Sequence, residues 1–176
     1  ISPTIDRKRR RCIVIHWREY CLDAIGKTLF RNAFYVIVNS STMPFSLPTP
    51  WPTDAETAVA LQRQLRAHIN TTDQLPDTVR YVAGVDAGFE QQGTITRAAV
   101  VVLSFPDLNP VDEALVRCPT TFPYVPGLLS FREIPAVLQA LNQIQIQPDM
   151  ILCDGQGIAH PRRLGIATHL GLITDC

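Results

Sequence analysis

The chain has 176 residues, no net charge, 46% hydrophobic and 18% charged residues, which suits one soluble globular domain with a sizeable core. The longest apolar runs, such as AAVVVL at 98–103, are far too short to span a membrane, and the polar, basic residues 1–12 are not followed by a signal-peptide core. The five cysteines are scattered and form no CxxC pair, which argues against a zinc site and favours reduced thiols in a cytoplasm.

The charge is unevenly placed. Residues 1–50 carry eight Lys/Arg and three Asp/Glu, a surplus of five positive charges, whereas 51–176 carry eight Arg and thirteen Asp/Glu, a surplus of five negative. The block RKRRR at 7–11 reads as a solvated or disordered arm, or as a phosphate contact. Residues 1–47 match poorly with the rest of the chain, apart from FYVIV at 34–38, which has the composition of a short strand. Several of the 14 prolines fall in 44–52 and mark a linker.

Thr53 with Glu56 has the spacing of a capping box, and Ala58, Leu61, Leu65 and Ile69 recur at helical spacing, predicting a helix over about 54–69. Three strand-like segments come next at 79–89, 96–105 and 113–122, joined by short turn-like links that call for antiparallel pairing. SFREIPAVLQALNQI then reads as a helix, with Pro135 acceptable in its first turn. PDMILCDG is a short buried strand, and GIAHPRRLGIATHLG turns into a further helix. Antiparallel strands, a helix and a strand returning parallel to an earlier one describe an α/β mixed sheet with helices on its faces.

Three acids stand at element ends. Asp86 interrupts the apolar run VAGVDAGF, Asp154 emerges from MILC into DGQG, and Glu133 sits where a loop becomes a helix. Gathered carboxylates repel one another and remain ionised around a hard divalent cation, for which Mg²⁺ and its oxygen ligands suit phosphodiester chemistry. The plainer alternative is a strand-end cap for each Asp and a helix N-terminal charge for Glu133. His160 could orient a water or leaving group, or be a surface or satisfied core histidine, and Arg162 and Arg163 could bind phosphate. His169 reads as packed on a helix, and the role of Gln156 is open. DGQG lacks the spacing of a phosphate loop.

Three ordered blocks, VAGVDAGF with TRAAVVVL, PYVPGLLSFRE, and DGQGIAHPRRLGIATHLG, resemble the endonuclease V family of deoxyinosine 3′ endonucleases, over roughly 51–176. The resemblance implies an RNase H-like fold and a metal-dependent nick at the second phosphodiester 3′ to hypoxanthine in DNA, with inosine in RNA as a further substrate. It implies that Asp86, Glu133 and Asp154 hold Mg²⁺ or Mn²⁺, with His160, Arg162 and Arg163 along the same site. The expected partner is deoxyinosine-containing DNA, bound by a cytoplasmic monomer without membrane contact.

In the same resemblance Tyr124, between Pro123 and Pro126 and ahead of Gly127, matches a wedge. Prolines fix φ, so the ring is held out with little further loss of entropy and can part stacked bases. Gly84, Gly127, Leu128, Gly155 and Ile158 are candidates for lining the pocket of a flipped base. Taken without the other blocks, the same stretch is a turn with Tyr124 packed on the core. The family pattern runs on beyond the third block into an IGVAKSRL-like stretch, whereas this chain stops at GLITDC, so 48–176 is read as a partial domain. Many relatives also carry His where Gln156 stands. A catalytically weak nucleic-acid-binding module is the alternative.

Overall fold

The computed structural model describes residues 12–16, 33–37, 44–72 and 76–174. Among them are seven strands: β1 (Cys12–His16), β2 (Ala33–Ile37), β3 (Ile69–Asn70), β4 (Tyr81–Glu90), β5 (Ile95–Ser104), β6 (Pro110–Pro119) and β7 (Met150–Asp154). Three α-helices accompany them: α1 (Ala55–Leu65), α2 (Ser130–Leu141) and α3 (Ile166–Thr174). The sheet order is β3-β1-β2-β7-β4-β5-β6. β4, β5 and β6 form an antiparallel meander, with a register shift at Val102/Leu103. The chain then crosses through α2 and returns as β7, parallel to β4 from Val82↔Met150 to Val85↔Cys153. This is the mixed sheet expected from the pattern, with each element predicted from residue 54 onwards within a few residues of its expected place.

Alternation places the core. Ala83 and Val85 of β4, Ala98, Val100 and Val102 of β5, and Ala114 and Val116 of β6 are buried, facing Ile134, Val137, Leu138 and Leu141 of α2. Period-2 strands against a 3.6-period helix bury one face of each. The 1–47 segment, read as standing apart, contributes β1 and β2 to the same sheet, with β2 antiparallel to β7. The strand read at 34–38 is β2, whereas β1 and β3 had no clear signal. RKRRR lies outside the described residues, as does GLITDC beyond Thr174. Among the described residues no helix is long and apolar enough to cross a membrane.

Three local readings are corrected. The cap of α1 is Asp54, not Thr53: Asp54 is extended, and its carboxylate accepts the Thr57 amide at 2.9 Å. The α-helix ends at Leu65, and residues 66–68 tighten into a 3₁₀ turn. Pro135 is the sixth residue of α2, past the first turn. It has no N–H for the carbonyl of Phe131, four residues earlier. The Trp51 indole Nε1 takes that place, donating to the Phe131 carbonyl at 3.2 Å.

Candidate functional site

Asp86 and Asp154 are placed by the β4–β7 ladder. Val85 and Cys153 are its last paired residues and both are buried, so the next residue on each strand turns to the opposite face. Those residues are Asp86 and Asp154, both exposed, at the same level on neighbouring parallel strands about 4.8 Å apart. One Asp86 carboxylate oxygen accepts the Ala87 amide at 2.9 Å.

Glu133 approaches from the helix. It lies in the first turn of α2 and is almost completely buried. Burial, then the charge of Asp86, and to a smaller extent that of Asp154, push its carboxyl up to about 7, against a lowering by Arg132. Asp86 and Asp154 therefore lie close enough to act on the Glu133 carboxyl. Among the described residues, however, no three His, Cys, Asp or Glu side chains converge into a set that could hold a metal ion. In donor chemistry the trio fits a hard cation: all are carboxylates, and Glu133 is destabilised as an anion by the other two.

Beside Glu133, Arg132 is 9% exposed. Its guanidinium lies 4.1 Å from the Phe89 ring centroid and 5.8 Å from that of Tyr124, and Nη2 donates to the Gly93 carbonyl at 3.2 Å. Its Nε has no hydrogen-bond partner among the described residues. Tyr124 is 72% exposed, which overturns the alternative of a ring packed on the core. Pro123 and Pro126 flank it, both exposed.

The base of this loop is fastened. Val125–Leu128 closes with Leu128 N–H donating to the Val125 carbonyl at 3.0 Å, and Gly127 has φ +78°. Proline then a left-handed glycine is the pattern of a type II turn. The Gly127 carbonyl accepts from Arg162 Nη2 at 2.8 Å and from Gln62 Nε2 at 3.1 Å. A Cβ on Gly127 would stand 2.6 Å from Arg162 Nη2 and 3.3 Å from His160 Nε2. The position is closed to side chains.

His160 is buried, and its Nδ1 accepts the Arg162 amide at 3.1 Å. Nε2 is thus the protonated nitrogen and faces the Gly127 backbone. Burial and Arg162 lower its pKa against that last contact, so the ring is neutral. Arg163, at φ +61°, is exposed on the same loop. The loop folds back tightly: a Cβ at Gly165 would stand 2.0 Å from the Gln156 carbonyl oxygen.

Of the five candidate pocket-lining residues, two have packing partners in the hydrophobic clusters. Leu128 packs with Phe122, Phe131 and Ala58, while Ile158 packs on the main core. His169 is fully buried, as expected of a packed histidine, with Nδ1 3.0 Å from Ser130 Oγ and its ring against Trp51 and Phe131. Sequence reasoning missed Gln62 and Arg132. Gln62 falls four residues after Ala58 on the buried stripe of α1, where its spacing was the available signal.

Residues 63–176 match the family model described as Endonuclease V. The chain is 62% identical over 133 residues to the Endonuclease V of Nostoc punctiforme, covering 76% of this chain and 60% of that protein. The crystal structure of Endonuclease V from Streptomyces avermitilis superposes with a TM-score of 0.68 at 43% identity, over 75% of this chain and 58% of that one. Endonuclease V of Ciona intestinalis, solved with a 24mer DNA containing an inosine followed by a ribo-adenosine, aligns with a TM-score of 0.57 at 30% identity, over 66% of this chain and 52% of that one. The chain thus spans about 60% of the length of the curated relative it matches.

Proposed function

The chain belongs to the endonuclease V family, with its RNase H-like fold, and from that premise we propose that the whole protein is a metal-dependent endonuclease of DNA repair. It nicks at the second phosphodiester 3′ to deoxyinosine, and inosine in RNA is a second substrate to test. The observation that carries this reading is the placing of Asp86 and Asp154 one step past the Val85–Cys153 pair on adjacent parallel strands, beside the Glu133 turn, with Arg132 linking that turn to an exposed tyrosine. The inosine-containing DNA held by the Ciona relative supports the choice of substrate.

Asp86, Glu133 and Asp154 would hold Mg²⁺ or Mn²⁺, and the ion when bound supplies charge for the attacking and leaving oxygens at phosphorus. The remaining roles belong to the chain itself. Tyr124, stiffened by Pro123 and Pro126, enters between bases, and unstacking of a few kcal/mol is offset by its contacts. Gly127 lets the backbone turn beneath it. Arg162 and His160 hold that turn from below, and His160 in its neutral form keeps a fixed tautomer next to the site. Arg163, exposed on the same loop, is placed to meet a phosphate.

The test incubates matched duplexes, with and without one deoxyinosine, with Mg²⁺ and maps the ends produced. A single nick displaced to the 3′ side of the lesion is expected. Binding without a nick, in a protein extended to the full length of its relatives, would point instead to a binding module.

A further inference from the structure

We propose that Gln62 is the positioning residue that locks the Tyr124 loop to the 160–165 loop and so sets the preference for an inosine-containing duplex over a plain one. The inference rests on the proposed endonuclease function and adds a residue to it. Gln62 is completely buried in the face of α1 that covers Leu128 and Phe131. Burying an amide is unfavourable unless its hydrogen bonds are met. Here they are: Nε2 donates to the Gly127 carbonyl and to the Leu164 carbonyl, each at 3.1 Å, and Oε1 accepts from Arg162 Nε.

Two carbonyls and one guanidinium admit only this orientation of the amide, since the flipped one would set oxygen against oxygen. One side chain therefore ties α1, the turn beneath Tyr124 and the loop carrying His160 and Arg162. Arg162 is gripped at Nε by Gln62 and reaches the same Gly127 carbonyl through Nη2, so the amide also aims the arginine. A leucine would fill similar space and serve the helix as well. What the amide adds is direction. The Tyr124 ring is largely in solvent, and its orientation is inherited from the clamped turn three residues on.

The test measures binding of dye-labelled inosine and plain duplexes by fluorescence anisotropy in EDTA, so that no strand is cut, with thermal melting of each variant alongside. Gln62→Leu is expected to weaken the inosine complex by about tenfold or more, because buried carbonyls lose their donors. The plain duplex should change little. Gln62→Glu keeps the size and the Arg162 contact but lacks both donors, and should show the same loss of preference if the leucine variant does not fold. Added to Tyr124→Ala, either change should cause little further loss, since no ring is left to position. Equal loss for both duplexes, an unchanged preference, or additivity with Tyr124→Ala would overturn the inference. A wild-type protein, extended to the full length of its relatives, with no preference at all would overturn the functional reading together with it.

Discussion

Asp86 and Asp154 share one level on adjacent parallel strands, one step past the buried pair Val85 and Cys153. Their exposure is forced by strand alternation, since an inward Val85 and Cys153 dictate an outward next residue. Adjacent like charges are unfavourable without a counter-ion. Asp86→Asn and Asp154→Asn should each raise stability without metal by a few tenths to about 1 kcal/mol while abolishing Mg²⁺-dependent nicking. Urea denaturation in EDTA, paired with the nicking assay, checks both halves. Loss of stability together with loss of nicking would argue for strand-end caps.

Glu133 gives a pH dependence of definite sign. Its carboxyl is raised from 4.5 to about 7 by burial and by Asp86 and Asp154. Between those values the native state binds more protons than the unfolded one. Its contribution is therefore present at low pH and lost as pH rises through about 7, by up to about 3 kcal/mol. Glu133→Gln should flatten that part of the curve and make the metal-free protein more stable at pH 8. Divalent cations should stabilise the wild type more at pH 8 than at pH 5.5, seen as a larger rise in melting temperature.

His169 works in the opposite direction. Burial holds its pKa down at about 3, below the ordinary 6.5. In that window the unfolded state binds more protons, so stability falls as pH drops from 6.5 towards 3. The two effects oppose each other between 4.5 and 6.5 and separate below 4.5, where the His169 contribution continues alone. In a Glu133→Gln background, the urea midpoint should fall steadily from pH 6.5 to pH 4. A flat profile there would mean that His169 is not buried in its neutral form.

Trp51 answers for a proline. Its indole donates to the Phe131 carbonyl that Pro135 leaves without a partner, and its ring packs 5.2 Å from that of Phe131. Trp51→Phe keeps most of the packing and orphans the carbonyl, so a loss of about 1–3 kcal/mol is expected. In a Pro135→Ala background the loss should shrink, because the helix can supply its own donor. A loss undiminished in that background would place the effect in ring packing alone.

The order of elements from 54 onwards was legible because their periods are strong: AAVVVL cannot be other than a buried strand or core segment, and SFREIPAVLQAL repeats at helical spacing. The three acids stood out as charges at the ends of elements. Their spatial relation did not, because pairing register is a tertiary property. Gln62 and Arg132 escaped for a related reason. A polar residue on a buried stripe looks like the edge of that stripe until its partners, distant in sequence, are in place.

The nicking proposed for the site turns on one divalent ion shared by Asp86, Glu133 and Asp154. A crystal structure of the protein soaked in Mn²⁺, with anomalous data, tests this most directly. It should show one anomalous peak bound by carboxylate oxygens of all three residues. A peak at any other group of side chains, or none at saturating Mn²⁺, would contradict it.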